Sequence, residues 1–498
     1  MSTETVSQAS DTAGDRRRWI VLALIVTAQF MVVLDIAIVN VALPSIKTDL
    51  HFSQVSLQWV ITAYSILFGG VLMLGGRLAD LLGRRRLFVI GLGIFTASSL
   101  LDGLAWSEGS LIAFRTLQGL GAALLSPAAL SILTTTFEEG RERNLALGIW
   151  GAVSGSGGAA GVLLGGALTS GLGWSWIFFI NVPVGIAVIA STPFLLRESR
   201  ADLHHRHFDF AGAASITSGL MLLVYAMTRA AQHGWATTES IVLLAASAAL
   251  IGVFFAIEAR SPAPLLPLRI FKLRTLSGSN LGGLALGGAV FAEFFLLTLY
   301  MQQVLHYSAL HTGVAYISLT LTIIIFSVVA QALVNRVGVR WVLPTGLVIS
   351  SLALVLFAQL PVHGHYFSDL FPAFLLSGLG LALSFVPMSI GGLAGVRPAD
   401  AGVASGLINT TQQVGGAIGV AIATTIATTL TAHFVSAHTG SSATAGAALT
   451  HGFQGAFYVL AGIAAAGALF SALLLEQRPS EQTFTLSEEA LPELEAAT

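Results

Sequence analysis

The chain has 498 residues, of which 55% are hydrophobic and 10% charged, and its mean hydropathy is +0.82. An ordinary soluble domain carries about 25% charged residues, and so few polar groups cannot cover a water-facing surface, which excludes a soluble protein. A formal net charge of −2 leaves no basic footprint for nucleic acid. The absence of cysteine excludes disulfides, thiolate chemistry and cysteine-ligated metals.

A helix that crosses a bilayer needs roughly 20 mostly apolar residues. In chain order such stretches fall near 19–43, 57–76, 87–106, 110–134, 144–170 and 174–196, then 209–230 and 239–258. They continue near 276–304, 312–334, 341–360, 368–393, 402–431 and 454–476, which makes fourteen. The polar start, 1–18, leads into a first span too long for a signal-peptide core, so it reads as a tail followed by a retained helix. Lys and Arg set the orientation, because loops on the cytoplasmic side carry the excess. With both termini in the cytoplasm, 20 of the 23 basic residues fall inside; only Lys47 and Arg229 fall outside, and Arg115 lies within a span.

Five charges fall within ten residues of one segment, Gly75 to Leu87, GGRLADLLGRRRL, read as the loop between the second and third spans. A second segment, Gln331 to Arg340 (QALVNRVGVR), repeats it weakly between the tenth and eleventh spans, with Asn335 in place of Asp80. With the seventh and eighth spans set aside, each segment joins the second and third helix of a six-helix half. Two related halves around a central site are a common plan of secondary transporters. The expected units are therefore a tail (1–18), a first half (19–200), a linker pair (201–262), a second half (263–476) and a tail (477–498). A segment rich in His and Arg (Arg197 to His207) and a proline-rich one (261–267) bound the linker pair.

Charge inside a span costs at least about 2.5–3.5 kcal/mol, so four residues need a reason. Asp35 lies just past the middle of the first span, Arg115 is near the outer end of the fourth, and Asp102 is near the outer end of the third. Glu293 stands in VFAEFFL with no polar neighbour in sequence, beside Phe291, Phe294 and Phe295. Burial disfavours a charged carboxylate and a nearby arginine favours it, so an Asp35–Arg115 pair whose members move apart would switch proton affinity. The other reading of that pair is a structural salt bridge. Glu293 is open to a role as second proton site, as a receptor for lipophilic cations, or as a group facing a water-filled cavity. Asp102 is open to proton binding or to simple solvation at the interface. The fifth span carries Gly151, Gly155, Gly158, Gly161 and Gly165 at spacings that permit close helix approach.

Five motifs in register resemble the major facilitator superfamily, and within it the fourteen-helix drug:proton antiporters of bacteria. They are the GGRLADLLGRR segment with Gly76, Asp80, Gly83, Arg84 and Arg85; LDIAIVNVALP from Leu34 to Pro44, with Asp35 and Asn40; and Arg115-Thr-Leu-Gln118-Gly119. The remaining two are WIFFINVP, with Asn181, and GLINTTQQ, with Asn409, Gln412 and Gln413. Trp59 and Tyr64 also match that family's W-V-x-T-A-Y. The chain departs from the family at Ala37, at Glu293 and Asp102, and at Val162, where the helix-five motif usually has proline.

The resemblance implies an all-α membrane protein of two six-helix halves with two further helices between them. It also implies a cytoplasmic latch in the Gly76–Arg85 segment, and efflux of lipophilic, cationic drugs in exchange for protons by alternating access. Asp35, Arg115, Glu293 and Asp102 are the expected coupling residues. The expected cavity lining is Asn40, Tyr64, Gln118, Asn181, Phe291, Phe295, Asn409, Gln412 and Gln413. The alternative is an exporter of an endogenous lipid or a self-made antibiotic. No catalytic constellation, metal site or cofactor is expected, and a monomer in the bacterial inner membrane is. Neither lysine, Lys47 or Lys272, follows a glycine, so the chain has no Walker A loop to bind ATP.

Overall fold

In the lipid interior every backbone polar group has to be satisfied internally, which leaves helices as the default for apolar runs of this length. The computed structural model describes residues 4–53, 56–200, 209–261, 264–438 and 445–476. Among them are sixteen α-helices and no strand. The first seven are α1 (Glu4–Asp49), α2 (Trp59–Leu82), α3 (Arg84–Gly103), α4 (Glu108–Thr136), α5 (Arg141–Gly171), α6 (Trp176–Phe179) and α7 (Asn181–Leu195). Next come α8 (Phe210–His233) and α9 (Thr238–Glu258). The rest are α10 (Arg274–Leu299), α11 (Ala309–Ala315), α12 (Ile317–Val337), α13 (Val339–Phe357), α14 (Phe371–Gly391), α15 (Ala401–Ala437) and α16 (Ala445–Leu474). Thirteen helical stretches are long and apolar enough to span a bilayer, and α5, bent by 41° at its middle, is a fourteenth. The helix that opens the chain starts well before its apolar span and runs on through Pro44. The tail 477–498 and His204, His205 and His207 lie outside the described residues.

Local sequence accounts for several helix starts. Ser107 and Ser110 form a capping box on α4, Asp209 accepts the Gly212 amide at the start of α8, and Ser308 accepts from the His311 amide at α11. The α1–α7 helices pack as one group and α10–α16 as another, and the groups meet along two seams: α2 on α15, and α5 on α11, α12 and α14. The extra pair attaches at the first seam, where α8 packs against both α2 and α15. Trp59 stacks on Tyr225 of α8, and Trp235 Nε1 donates to Thr425 Oγ1 of α15 at 2.8 Å. The outer face of α9 exposes Ile241, Val242, Val253 and Phe255, as lipid contact requires.

The glycines of α5 serve both sides of the second seam. Gly151 and Gly155 face Val386 and Phe385 of α14 and Ile323 of α12, whereas Gly161 and Gly165 face Leu34, Ala37 and Ile38 of α1. Gly158 lies between these sets and faces Phe294. The bend falls between Gly158 and Ala160, immediately before Gly161-Val162. Ser156-Gly157-Gly158 thus supplies the break where proline is usual, consistent with kinks at Gly/Ser pairs.

One sequence expectation is corrected. Gly76, Arg77 and Asp80 belong to the last turns of α2, and Arg84 already opens α3. Only Gly83 stands between the helices, with φ +112°, and a side chain there would also meet Glu198. The supposed loop is therefore a single glycine turn, because apolar positions of the α2 face continue through Ala79. Gly76 lies against Gly402 of α15, where a Cβ would collide with the Gly402 carbonyl. A clash of this kind costs about 1–3 kcal/mol, and about 1.4 kcal/mol is a tenfold shift in equilibrium. In this cysteine-free chain, Ser405→Cys, a fully buried position, is expected to react slowly with a maleimide. Adding Gly76→Val is expected to raise the labelling rate about tenfold; an unchanged rate would contradict the contact.

Candidate functional site

Two polar centres lie in the otherwise apolar bundle. In the first, α1, α3, α4 and α7 bring together residues that are distant in sequence. Arg115 Nη1 donates to Asp35 Oδ2 at 2.6 Å, and both side chains are buried. Asp35 Oδ1 accepts from Gln118 Nε2 at 3.0 Å and from Asn181 Nδ2 at 3.2 Å. Asn181 also donates to Ser99 Oγ at 3.1 Å, and Ser99 Oγ donates to the Phe178 carbonyl at 2.9 Å. Arg115 Nε donates to the Val60 carbonyl at 3.2 Å, and Nη1 also donates to Gln118 Oε1. Its guanidinium lies 4.3 Å from the centre of the Tyr64 ring, a cation–π contact.

Helical spacing explains the pairing, since Arg115 and Gln118 are three apart and share one face of α4. Asn181 is the first residue of α7, placed where the broken sixth span turns inward. Asp35 is therefore held by three donors, and a carboxylate so surrounded can release or admit a cation only if the donors rearrange. Asp102 is also fully buried, and neither of its oxygens has a hydrogen-bond partner. The expectation of a solvated residue at the interface is overturned, because α3 turns this position toward the protein.

The second centre lies at the arginine-rich end, at the first seam. Asp80 is fully buried. Its Oδ1 accepts from Arg84 Nη2 at 2.8 Å and from the Gly402 amide at 3.2 Å, and its Oδ2 accepts from the Val403 amide at 3.3 Å. Arg84 Nη2 also donates to the Pro398 carbonyl at 2.7 Å. The acid thus caps the N-terminus of α15, where unpaired amides and the helix dipole favour a negative group. Arg85 turns the other way: its amide donates to Glu198 Oε1 at 3.2 Å and its Nη1 to the Leu196 carbonyl at 3.2 Å. At the second seam Asn335, the counterpart of Asp80 in the weak repeat, accepts from Asn144 Nδ2 of α5 at 2.7 Å.

The remaining sequence candidates divide. Glu293 is buried on α10 and accepts a hydrogen bond from Ser377 Oγ of α14 at 2.5 Å. Its three phenylalanines do not assemble around it. Phe294 stacks on Tyr316 at 5.2 Å, Phe291 lies against Gly416, and Phe295 lines a pocket of about 330 Å³ with Thr424, Ala427 and Phe453. Neighbouring helix residues point about 100° apart, so a run in sequence could not surround one point. Tyr64, Gln118 and Asn181 belong to the Asp35 centre. Asn40 donates to the Ile36 carbonyl and Asn409 to the Ser405 carbonyl of their own helices, both half-buried. Gln412 reaches Met388, and Gln413 is half-buried beside Gly69. Sequence reasoning missed Ser99, Ser377 and the α15 amides. Serines and backbone groups carry no motif of their own, although Asp400-Ala-Gly before an apolar run is a helix-start signal.

An all-helical bundle of thirteen to fourteen apolar spans with buried ion pairs defines a multi-pass membrane protein of transporter type. Residues 25–420 and 294–496 match the family model described as Major Facilitator Superfamily, and the chain belongs to that superfamily of membrane transporters, which are not enzymes. It is 38% identical over 496 residues to the puromycin resistance protein pur8 of Streptomyces alboniger, covering 99% of this chain and 98% of that one. It is 40% identical over 402 residues to the cephamycin export protein CmcT of Amycolatopsis lactamdurans, covering 80% and 83%. The tetracenomycin C resistance and export protein of Streptomyces glaucescens is 34% identical over 430 residues, covering 84% and 79%. Among solved structures the human organic anion transporter MFSD10 (TETRAN) superposes with a TM-score of 0.61 at 17% identity, over 92% of this chain and 99% of that one. That likeness concerns the fold.

Removing one partner of a buried ion pair leaves an uncompensated charge and costs about 3–5 kcal/mol. Arg115→Ala is therefore expected to lower the melting temperature in detergent clearly, and Asp35→Asn in the same chain to restore much of the loss. A melting temperature unmoved by Arg115→Ala would show that the pair contributes nothing.

Proposed function

We propose that the chain exports lipophilic, cationic small molecules across the bacterial inner membrane in exchange for protons. The support is the Asp35–Arg115 pair: a carboxylate buried at the level of the spans, held by donors from α4 and α7 that belong to a mobile fold class. Well within the spans three acids, Asp35, Asp102 and Glu293, and one arginine, Arg115, are buried, whereas the buried Arg77, Arg84 and Arg143 lie at helix ends. That surplus of acid favours a cationic over an anionic cargo.

In this reading the arginine-rich end is cytoplasmic, in keeping with the distribution of basic residues, and both termini lie on that side. Asp80, Arg84 and the start of α15 then form a cytoplasmic latch, closed in this structure, with Gly76 and Gly83 permitting the close approach. Opening it breaks polar contacts that water can replace, so the latch is reversible. The units that rock are 19–200 and 263–476, with 201–262 riding on the seam and each chain acting alone. Asn40, Tyr64, Gln118 and Asn181 from one half line the cargo path, with Phe291, Phe295, Asn409, Gln412 and Gln413 from the other. Glu293 with Ser377 is a second acid at a comparable depth, roughly three helical turns from the outer end of its helical stretch.

A second reading is supported by the names of the relatives, which refer to puromycin, cephamycin and tetracenomycin C. On this reading the physiological cargo is a natural-product antibiotic, self-made or encountered. Both readings share one test. Purified protein in liposomes with an imposed pH gradient is expected to accumulate a fluorescent lipophilic cation, and to lose gradient-driven accumulation in Asp35→Asn. Puromycin is expected to compete. Accumulation that survives Asp35→Asn would move the coupling to Glu293, and accumulation indifferent to the gradient would refute proton exchange.

A further inference from the structure

Asp102 stands apart from every other acid described above. Its carboxylate is wholly enclosed and neither oxygen is hydrogen-bonded, a rare condition that asks for an explanation. The charged groups within electrostatic reach are Arg115 of α4 and Asp35 of α1. Tyr64 of α2 lies against the same guanidinium. The α6 and α7 helices, which also pack on α3, contain no titratable side chain.

Asp35 is paired with this arginine and Asp102 is not, so the two acids are surrounded differently. Asp35 accepts from Arg115, Gln118 and Asn181, the setting of a carboxylate. Asp102 has no donor at all, and a buried carboxyl group without one takes up a proton rather than remain charged. Arg115 now pairs with Asp35, and its helix α4 packs along α3, which carries Asp102, so it is placed to change partners.

We propose that Asp102 carries the exchanged proton and that Arg115 passes between the two acids. The inference rests on the proton-exchange reading above and assigns the proton within it. In the closed state seen here the set is Asp35 ionised, Arg115 charged and Asp102 protonated, with net charge zero. When a cationic cargo occupies the Asp35 carboxylate, Arg115 turns to Asp102, the O–H bond of Asp102 breaks, and its proton leaves to water. The set then holds cargo on Asp35 and Arg115 on an ionised Asp102, again with net charge zero. One positive charge enters for each proton that leaves, and nothing else is consumed.

The protonated acid is tested without any ligand by infrared difference spectroscopy on the full chain. A carbonyl band of a buried carboxylic acid is expected to lose intensity on Asp102→Asn, both in the parent protein and in the Asp35→Asn background, any remaining band belonging to the buried Glu293. A band whose intensity Asp102→Asn leaves unchanged would overturn the assignment. The exchange is tested with tetraphenylphosphonium and protein in weakly buffered detergent, following binding and pH together. The parent protein is expected to release roughly one proton per cation bound, with affinity rising about tenfold per pH unit as linkage requires. Asp102→Asn is expected to bind the cation without proton release and with pH-independent affinity, whereas Asp35→Asn is expected not to bind it. Proton release equal to the parent in Asp102→Asn refutes this assignment alone. Binding by the parent with no proton release, or no binding, refutes the exchange of a cation for a proton and this assignment with it.

Discussion

The structure depends on the satisfaction of charge where there is no water to supply it. Most of the chain meets that demand by having no charge within its spans, and helices satisfy the backbone. Asp35 and Arg115 are the exception on which the first half is arranged. To hold them, the fold brings α4 against α1, breaks the sixth span so that Asn181 points inward, and turns Val60 and Tyr64 toward the guanidinium. A pair so enclosed contributes little net stability against an apolar alternative. Its presence is better explained by what it can do when its partners change than by what it adds to folding.

The arginine-rich end obeys the same rule with a different outcome. Asp80 and Arg84 are buried too, but they lie at a seam and their partners are the first amides of another helix and the Pro398 carbonyl just before it. In the proposed cycle such contacts are lost and regained as the seam opens, whereas those of Asp35 require rearrangement inside one group of helices. At the weak repeat Asn335 instead accepts from the side-chain amide of Asn144 on α5, in an exposed position. Glu258 extends the charged layer to the extra pair, accepting from the Leu265 and Leu266 amides where the chain passes to α10.

Much of this was legible in the amino-acid sequence. Span lengths and the alternation of arginine are dictated by bilayer thickness and insertion, and both are local properties. Asp35, Arg115 and Asp80 announce themselves because charge is costly where they stand. Their partners do not: Ser377, Ser99 and the amides of Gly402 and Val403 are ordinary groups whose role is set by which helices meet. The same holds for Asp102, whose burial depends on the rotation of α3, and for Phe291, Phe294 and Phe295, which proximity in sequence joined and helical geometry separated. The bend of α5 falls just after Gly158, although the missing proline at Val162 had drawn attention elsewhere.

The proposed cycle exchanges a cation for a proton at the buried charge centre, and the arginine-rich end is expected to open and close with that exchange. Spin labels on Leu82→Cys at the end of α2 and Val337→Cys at the end of α12, both exposed positions, report that closure directly. The account predicts that the distance between them is short at low pH and lengthens as pH rises in the presence of a lipophilic cation. It also predicts that Asp35→Asn abolishes the response. The same lengthening in Asp35→Asn would contradict it.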